Sequence, residues 1–244
     1  MKIGLIGAGN MAGALARGWG EPVLATDGGS GRAAALVAEL GGEVPASNAA
    51  LAEQADLVVL ACKPYQLEAV AAEARAAKRV MSVLGGIGVQ QLRDAFPQAE
   101  VYATMPNTPV AVRRGVIIVA EETPLPDDVR ELLERVASVF VVPERVMGAA
   151  TATTGVSPAY VALIAEAMVD AAVKDGLKAE LATALVIDVL AGSAELLRAH
   201  GGDTLAMRRE VTSPGGSTAR GLAALEHAGL RTAFLDAMRA VRNP

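Results

Sequence analysis

A run of glycine, proline and hydroxyl residues, Thr212-Ser213-Pro214-Gly215-Gly216-Ser217-Thr218, joins two apolar helical patterns near the C-terminus. Its glycines suit a loop whose backbone approaches a ligand closely and offers free N–H groups. Such groups at the N-terminus of a helix bind small anions, including carboxylates. We therefore expect the N–H groups of Gly215, Gly216 and Ser217 to hold a small acid, with Ser213 and Thr218 beside them.

A second motif, Gly7-Ala8-Gly9-Asn10-Met11-Ala12, follows the apolar run Ile3–Ile6 and opens a helical pattern. It matches G-x-G-x-x-A, in which the first glycine permits a tight turn and the second lets the backbone approach a pyrophosphate. The alanine allows close helix–strand packing. The residues predicted to bind a dinucleotide here are Gly7, Gly9, Asn10 and Met11.

The residues after the second strand give conflicting indications of the cofactor. Asp27 lies where an acid accepts the ribose 2′-hydroxyl of NADH. Ser30 and Arg32, in the glycine-rich stretch that follows, could instead hold the 2′-phosphate of NADPH. We favour NADPH slightly, because the charge of Asp27 could turn away or be matched by Arg32.

Further candidate cofactor residues follow other strands, since ligands of an open α/β sheet lie beyond the carboxyl ends of its strands. Lys63 could touch the ribose or a phosphate, or be a plain surface lysine, and Asn48 could contact the adenine ribose or cap a helix. Two prolines flank Asn107 and Thr108, which are expected to point outward near the nicotinamide ring or to form a rigid turn. Ala61 and Pro64 complete the predicted set.

The elements that must position these residues alternate along the first part of the chain. Short apolar runs at 3–6, 23–26, 57–61, 79–83, 101–104 and 116–120 are separated by helical patterns or turn signals. Such alternation predicts parallel strands with crossover helices. The expected fold class is α/β, with a Rossmann-type doubly wound sheet over residues 1–147 and an all-α domain over 148–244.

The second domain is predicted to pair with another copy of the chain. Leu181, Leu185, Val186, Val189 and Leu190 spread apolar side chains over a wide arc of one helix. A helix that is apolar nearly all round is normally buried. Fewer than 100 residues offer little interior for it, so we expect a homodimer.

Composition excludes several classes of partner. A net charge of −5 without a basic block argues against nucleic acid and anionic membranes. Cys62 is the only cysteine and the histidines lack ligand spacing, so neither a disulfide nor a metal site is expected. No uninterrupted apolar run reaches the length of a membrane span, and we expect a cytoplasmic protein.

Together these motifs resemble the pyrroline-5-carboxylate reductase family. The resemblance rests on Gly-x-Gly-Asn-Met, Lys63-Pro64, Met105-Pro106-Asn107-Thr108-Pro109, Ser157-Pro158-Ala159-Tyr160 and Thr212–Thr218. It implies a Rossmann domain, a helical dimerisation domain and dimers that often assemble into decamers. It also implies reduction of 1-pyrroline-5-carboxylate to L-proline with NADPH or NADH, the last step of proline biosynthesis. By motif position, Thr218 corresponds to the threonine near the ring nitrogen.

Some residues depart from the pattern of that family. Ala103 stands where many members carry an arginine, Leu84-Gly85-Gly86 replaces Ala-Ala-Gly, and Ser217 replaces a commoner threonine. These departures leave open the cofactor preference and a related cyclic imine acid as substrate. A β-hydroxyacid dehydrogenase is the other alternative, but it needs a lysine early in the first helix of the second domain, where only Lys174 occurs, at the far end.

Overall fold

The structure is a computed structural model that describes residues 1–242. The chain divides into two compact units, Met1–Pro158 and Ala159–Pro244. The domain boundary that the sequence predicts after residue 147 falls inside a helix, Glu144–Thr154, of the first unit.

Within residues 1–242, the strands form one eight-stranded sheet with the order β3-β2-β1-β4-β5-β6-β7-β8. Parallel pairing joins β1 to β2 and β4, as predicted for a doubly wound sheet. The strands are β1 (Ile3–Ile6), β2 (Val23–Thr26), β3 (Gly42–Glu43), β4 (Leu57–Leu60), β5 (Arg79–Ser82), β6 (Glu100–Pro106), β7 (Gly115–Ala120) and β8 (Ala137–Val142).

The parallel pairing that the alternation predicts does not extend to β6 and β7. Strand β7 pairs antiparallel with β6, and β8 then runs parallel to β7. The connection between β6 and β7 contains only a 3-10 turn, Thr108–Val112. Parallel strands need a crossover of a dozen or more residues, so this short link reverses the chain direction.

Helices cover both faces of the sheet in the first unit. Trp19, which is 1% exposed, ends the first helix, and its indole Nε1 donates to the Leu132 carbonyl at 3.1 Å. Gly18 lets that helix pass close to the backbone of Val110, since an added Cβ would clash with the Val110 oxygen. The helices are α1 (Asn10–Trp19), α2 (Arg32–Leu40), α3 (Asn48–Gln54), α4 (Leu67–Glu73), α5 (Val89–Ala95), α6 (Asp127–Glu134) and α7 (Glu144–Thr154).

The rest of the described chain is helical, as predicted, and buries very little. Its helices are α8 (Ser157–Lys174), α9 (Ala179–Ala199), α10 (Thr204–Glu210), α11 (Ser217–His227) and α12 (Leu230–Arg242). Among the described residues of Ala159–Pro244, only Ala182 and Val186 are buried hydrophobics. Leu163, Ile187 and Leu235 are all more than half exposed. This unit therefore presents apolar side chains that it does not cover itself.

One stretch, Glu144–Lys174, is long and apolar enough to cross a membrane, judged by length and composition alone. It includes α7, the break before Ser157 and α8. Exposed acidic side chains, Glu166 and Asp170, interrupt its apolar residues.

Candidate active site

The glycine-rich loop that follows β1 and begins at Gly7 lies against the end of the neighbouring strand β4. Gly7 has φ +98°, and its N–H donates to the Thr26 carbonyl at 3.0 Å. A Cβ at Gly7 would lie 2.6 Å from the carbonyl carbon and oxygen of Ala61. Both observations explain why glycine occupies this position, and they bring Gly7, Thr26 and Ala61 together at the carboxyl ends of β1, β2 and β4.

Gly9 has the opposite surroundings. It precedes α1 with φ −76°, and apart from Gly9 and its two chain neighbours no heavy atom of residues 1–242 lies within 4 Å of the position of an added Cβ. No side chain in that range caps α1, so the first backbone N–H groups of the helix have no side-chain partner. This open helix start, with Asn10 exposed and Met11 partly exposed, fits the pyrophosphate of a dinucleotide.

A cavity of about 190 Å³ lies beside the glycine-rich loop, between α1 and α2. Gly9, Asn10, Arg17, Arg32 and Glu39 are among its lining residues. Glu39 accepts two hydrogen bonds of 2.7 Å from Arg17 and so neutralises it. A larger cavity of about 550 Å³, between α4 and α5, contains none of the predicted site residues.

Asp27 is bonded into its own loop. Its carboxylate accepts the N–H groups of Ala33 and Gly29, each at 2.9 Å, and the Ser30 hydroxyl at 2.8 Å. These donors, Ala33 first and then Ser30, lower the pKa of Asp27 to about 2. The charge of Asp27 is thus satisfied by N–H and hydroxyl groups of its own loop, and no ion pair with the Arg32 guanidinium is present among residues 1–242.

Asn48 does not cap α3, so that alternative is wrong. Ser47 is the capping residue, and its hydroxyl accepts the Ala50 N–H at 3.1 Å. The Asn48 side chain instead bridges two side chains that the sequence analysis missed, Thr26 and Glu73. Thr26 ends a buried strand and could have been noticed there; Glu73 ends a helix and carries no motif.

The segment Ala61–Pro64 lies at the carboxyl end of β4, as predicted. The Ala61 N–H donates to the Ile6 carbonyl at 2.9 Å, and Pro64 begins a 3-10 turn. Lys63 is exposed, and its backbone N–H donates to Gln66 Oε1 at 2.9 Å. Burial raises the pKa of the Cys62 thiol, which makes it a poor nucleophile at neutral pH.

Asn107 points inward, contrary to the expectation. It is 7% exposed, its Oδ1 accepts the Val116 N–H at 2.8 Å, and its Nδ2 donates to the Thr154 carbonyl at 3.2 Å. Both partners of the Asn107 amide are backbone groups, and the bond to Val116 joins the segment after β6 to strand β7. Thr108, by contrast, is exposed as predicted.

The C-terminal loop turns through Gly215, at φ +68°, into the start of α11. The Gly216 N–H donates to the Ser213 carbonyl at 3.0 Å, so it is engaged within the loop and not free as expected. No side chain of the described residues caps α11. Ser217 and Thr218, both exposed, occupy the first two positions of this helix. Its first N–H groups are therefore suited to a small carboxylate.

Arg220 strengthens this loop and was missed by the sequence analysis. Its Nη1 donates to the Gly215 carbonyl at 2.7 Å. The bond holds the glycine turn to the first turn of α11. Thr212, the first residue of the run Thr212–Thr218, has a buried hydroxyl oxygen that lacks a hydrogen-bond partner within residues 1–242.

Comparison with known proteins gives two family matches. Residues 144–243 match the family described as pyrroline-5-carboxylate reductase dimerisation. Residues 2–86 match the family described as NADP oxidoreductase coenzyme F420-dependent. The N-terminal part of the sheet and the helical part of the chain thus match separate family models.

Curated relatives span nearly the whole chain. A pyrroline-5-carboxylate reductase of Methanosarcina acetivorans is 32% identical, over 97% of this chain and 94% of the relative. One of Thermus thermophilus is 33% identical, over 98% and 95%. Another, of Synechocystis, is 36% identical over 81% and 76%.

Solved structures agree in fold. Pyrroline carboxylate reductase of Plasmodium falciparum, with NADP bound, has a TM-score of 0.83 and 28% identity, and the match covers 99% of this chain and 95% of that one. The enzyme of Streptococcus pyogenes has a TM-score of 0.85 and 27% identity, with 100% and 99% covered. The match thus includes the glycine-rich loop, the helical unit and the loop before α11, and the chain belongs to the pyrroline-5-carboxylate reductase family.

Proposed function

We propose that this chain reduces 1-pyrroline-5-carboxylate to L-proline with NADPH or NADH, as the final step of proline biosynthesis. The observation that carries the proposal is the uncapped start of α11 behind the Ser213–Thr218 loop, in a chain of this family. A second open helix start, that of α1 at Gly9, would bind the pyrophosphate of the dinucleotide.

The cofactor would be held by the first unit. Gly7, Gly9, Asn10 and Met11 form the cradle for the pyrophosphate, and Asn48 and the Ala61–Pro64 segment lie at adjacent strand ends. Ser30 and Arg32 lie in the loop that would meet the 2′ position of the adenine ribose. When bound, the cofactor supplies the hydride that reduces the imine carbon.

The substrate would be held by the helical unit. We assign its carboxylate to the N–H groups at the start of α11, beside Ser213, Gly215, Gly216 and Ser217, where the helix dipole favours negative charge. The Thr218 hydroxyl would hydrogen-bond the ring nitrogen. A threonine hydroxyl is too weak an acid to be the final proton source, so the nitrogen gains its proton from water or enters already protonated.

The chain forms homo-oligomers, as the match to a dimerisation family indicates. We propose that the exposed apolar residues of α8, α9 and α12 form the dimer interface, and that dimers assemble further into a decamer. The cytoplasmic location stays a prediction.

The first experiment measures initial rates of NADPH and NADH oxidation with racemic pyrroline-5-carboxylate at neutral pH. Turnover with either cofactor supports the proposal. Folded protein that binds cofactor but does not turn over would contradict it and favour a related cyclic imine acid or a β-hydroxyacid. The ratio of the two rates gives the cofactor preference.

Thr218→Ala tests the assignment of the loop, with Thr218→Ser as the matched control that keeps the hydroxyl. We expect the alanine variant to lose most of its turnover while cofactor affinity stays nearly unchanged, and the serine variant to retain activity. An equal fall in cofactor affinity would contradict the assignment of this loop to the substrate.

A further inference from the structure

Three side chains form a hydrogen-bonded row at the carboxyl end of β2. The Thr26 hydroxyl donates to Asn48 Oδ1 at 2.6 Å, and Asn48 Nδ2 donates to Glu73 Oε2 at 2.7 Å. Thr26 is 7% exposed, Asn48 is partly exposed and Glu73 is exposed. The row therefore runs from the buried sheet edge to the surface.

The two partners fix the orientation of the Asn48 amide. A carboxylate only accepts hydrogen bonds, so Glu73 requires the Nδ2 end of the amide. If the amide were flipped, its oxygen would lie against the Glu73 carboxylate without a hydrogen between them. Thr26 then completes the arrangement by donating to the oxygen end.

The amide retains capacity for a ligand after these bonds are made. An asparagine side chain has two N–H donors and two acceptor lone pairs, and each partner uses one. One donor and one acceptor remain on Asn48, fixed in direction. Such a pair is complementary to hydroxyl groups of a ribose, each of which can donate and accept.

The row is also tied to the glycine-rich loop. The Thr26 carbonyl accepts the Gly7 N–H at 3.0 Å, while the Thr26 hydroxyl holds Asn48. One residue thus links the predicted pyrophosphate cradle to the predicted ribose ligand. Thr26 is the last residue of β2, on the edge of the sheet where ligands of this fold class bind.

We propose that Thr26 and Glu73 are positioning residues that orient the Asn48 amide toward the adenine ribose. The inference depends on the proposed function, since it assumes that the dinucleotide binds at this strand end. The 3′-hydroxyl of that ribose is common to NADH and NADPH, so an amide that binds it should affect the KM of both cofactors alike.

The test uses Thr26→Val, which keeps the side-chain shape and removes the hydroxyl, with Thr26→Ser as the matched control. Glu73→Ala removes the second partner from an exposed position and keeps the test valid if the Thr26 variant is poorly folded. For each variant, KM for NADPH, NADH and the imine, kcat, and the melting temperature are measured.

We expect Thr26→Val and Glu73→Ala each to raise KM for both cofactors about 5-fold, the value of one hydrogen bond of about 1 kcal/mol. The change in kcat and in KM for the imine should stay within about twofold. Thr26→Ser keeps the hydroxyl and should have the cofactor KM of the wild type. A purely structural role would instead lower the melting temperature and leave the cofactor KM unchanged.

Asn48→Ala separates the possible failures. If wild-type protein does not turn over, the proposed function fails. If it does turn over but Asn48→Ala leaves both cofactor KM values unchanged, Asn48 is no ligand and the inference is overturned. If Asn48→Ala raises them while the Thr26 and Glu73 variants do not, the positioning role is overturned.

Discussion

Replacing Gly7 and Gly9 by alanine, one at a time, should impair different properties: stability at Gly7 and cofactor binding at Gly9. At Gly7 the methyl group meets the Ala61 backbone at 2.6 Å, and φ is +98°. The left-handed conformation costs alanine about 1–2 kcal/mol, and overpacking costs about 1–3 kcal/mol. We therefore expect Gly7→Ala to lower the free energy of unfolding by about 2–5 kcal/mol.

At Gly9 the methyl group meets no described heavy atom within 4 Å beyond its own residue and the two chain neighbours, and φ is −76°. Alanine is a poorer residue than glycine before a helix, at a cost below about 1 kcal/mol. The same methyl group would occupy the space through which a pyrophosphate approaches α1. We expect Gly9→Ala to fold normally and to raise the cofactor KM about tenfold or more, equivalent to about 1.4 kcal/mol.

Thermal unfolding at one protein concentration, with cofactor absent, measures the first effect. For a unit of this size, each kcal/mol corresponds to about 2–4 °C, so Gly7→Ala should melt about 4–20 °C below wild type. Steady-state kinetics measures the second. A Gly9→Ala protein that melts as low as Gly7→Ala, or that binds NADPH as wild type does, would refute the reasoning.

Three further predictions concern other regions. Asp27→Ala should cost about 1 kcal/mol of stability at pH 7; because the folded-state pKa is lowered from 3.8 to about 2, the difference from wild type should vanish as pH falls through that window. If Asp27 holds the ribose diol, the variant should also weaken the binding of NADH more than the binding of NADPH. An unchanged ratio of the two affinities removes Asp27 from the site. Ile187→Glu places a charge on an exposed apolar side chain of α9 and should reduce the oligomer mass in light scattering, whereas Val44→Glu, on an exposed loop, should not. Arg220→Ala frees the turn before α11 and should raise KM for the imine several-fold without changing the cofactor KM; an unchanged imine KM would contradict its role.

The fold could be predicted wherever short-range patterns determine it. The run Ile3–Ile6 followed by Gly7 and Gly9 indicated a strand, turn and helix, and the structure has all three. The reversal of β7 could not be predicted from periodicity, because a buried strand has the same apolar pattern in either direction. The signal that was available is the short link around Thr108–Val112, whose length excludes a crossover.

The candidate site was predicted less completely, because side-chain partners distant in sequence leave no local pattern. Asn48 was identified from its position before a helix, but its partner Glu73 lies on another helix. Asn107 was expected to point outward because prolines flank it, whereas its amide binds backbone groups of Val116 and Thr154. Such bonds depend on tertiary packing, which one sequence does not reveal.

The scarcity of buried side chains in the helical unit makes association part of its folding. Hydrophobic stabilisation scales with the apolar area removed from water, and the described residues of this unit enclose little more than Ala182 and Val186. Binding between copies that occurs only in the folded state adds to apparent stability by mass action. The melting temperature of this unit should therefore rise with protein concentration, and simple dilution should act on it as a denaturant.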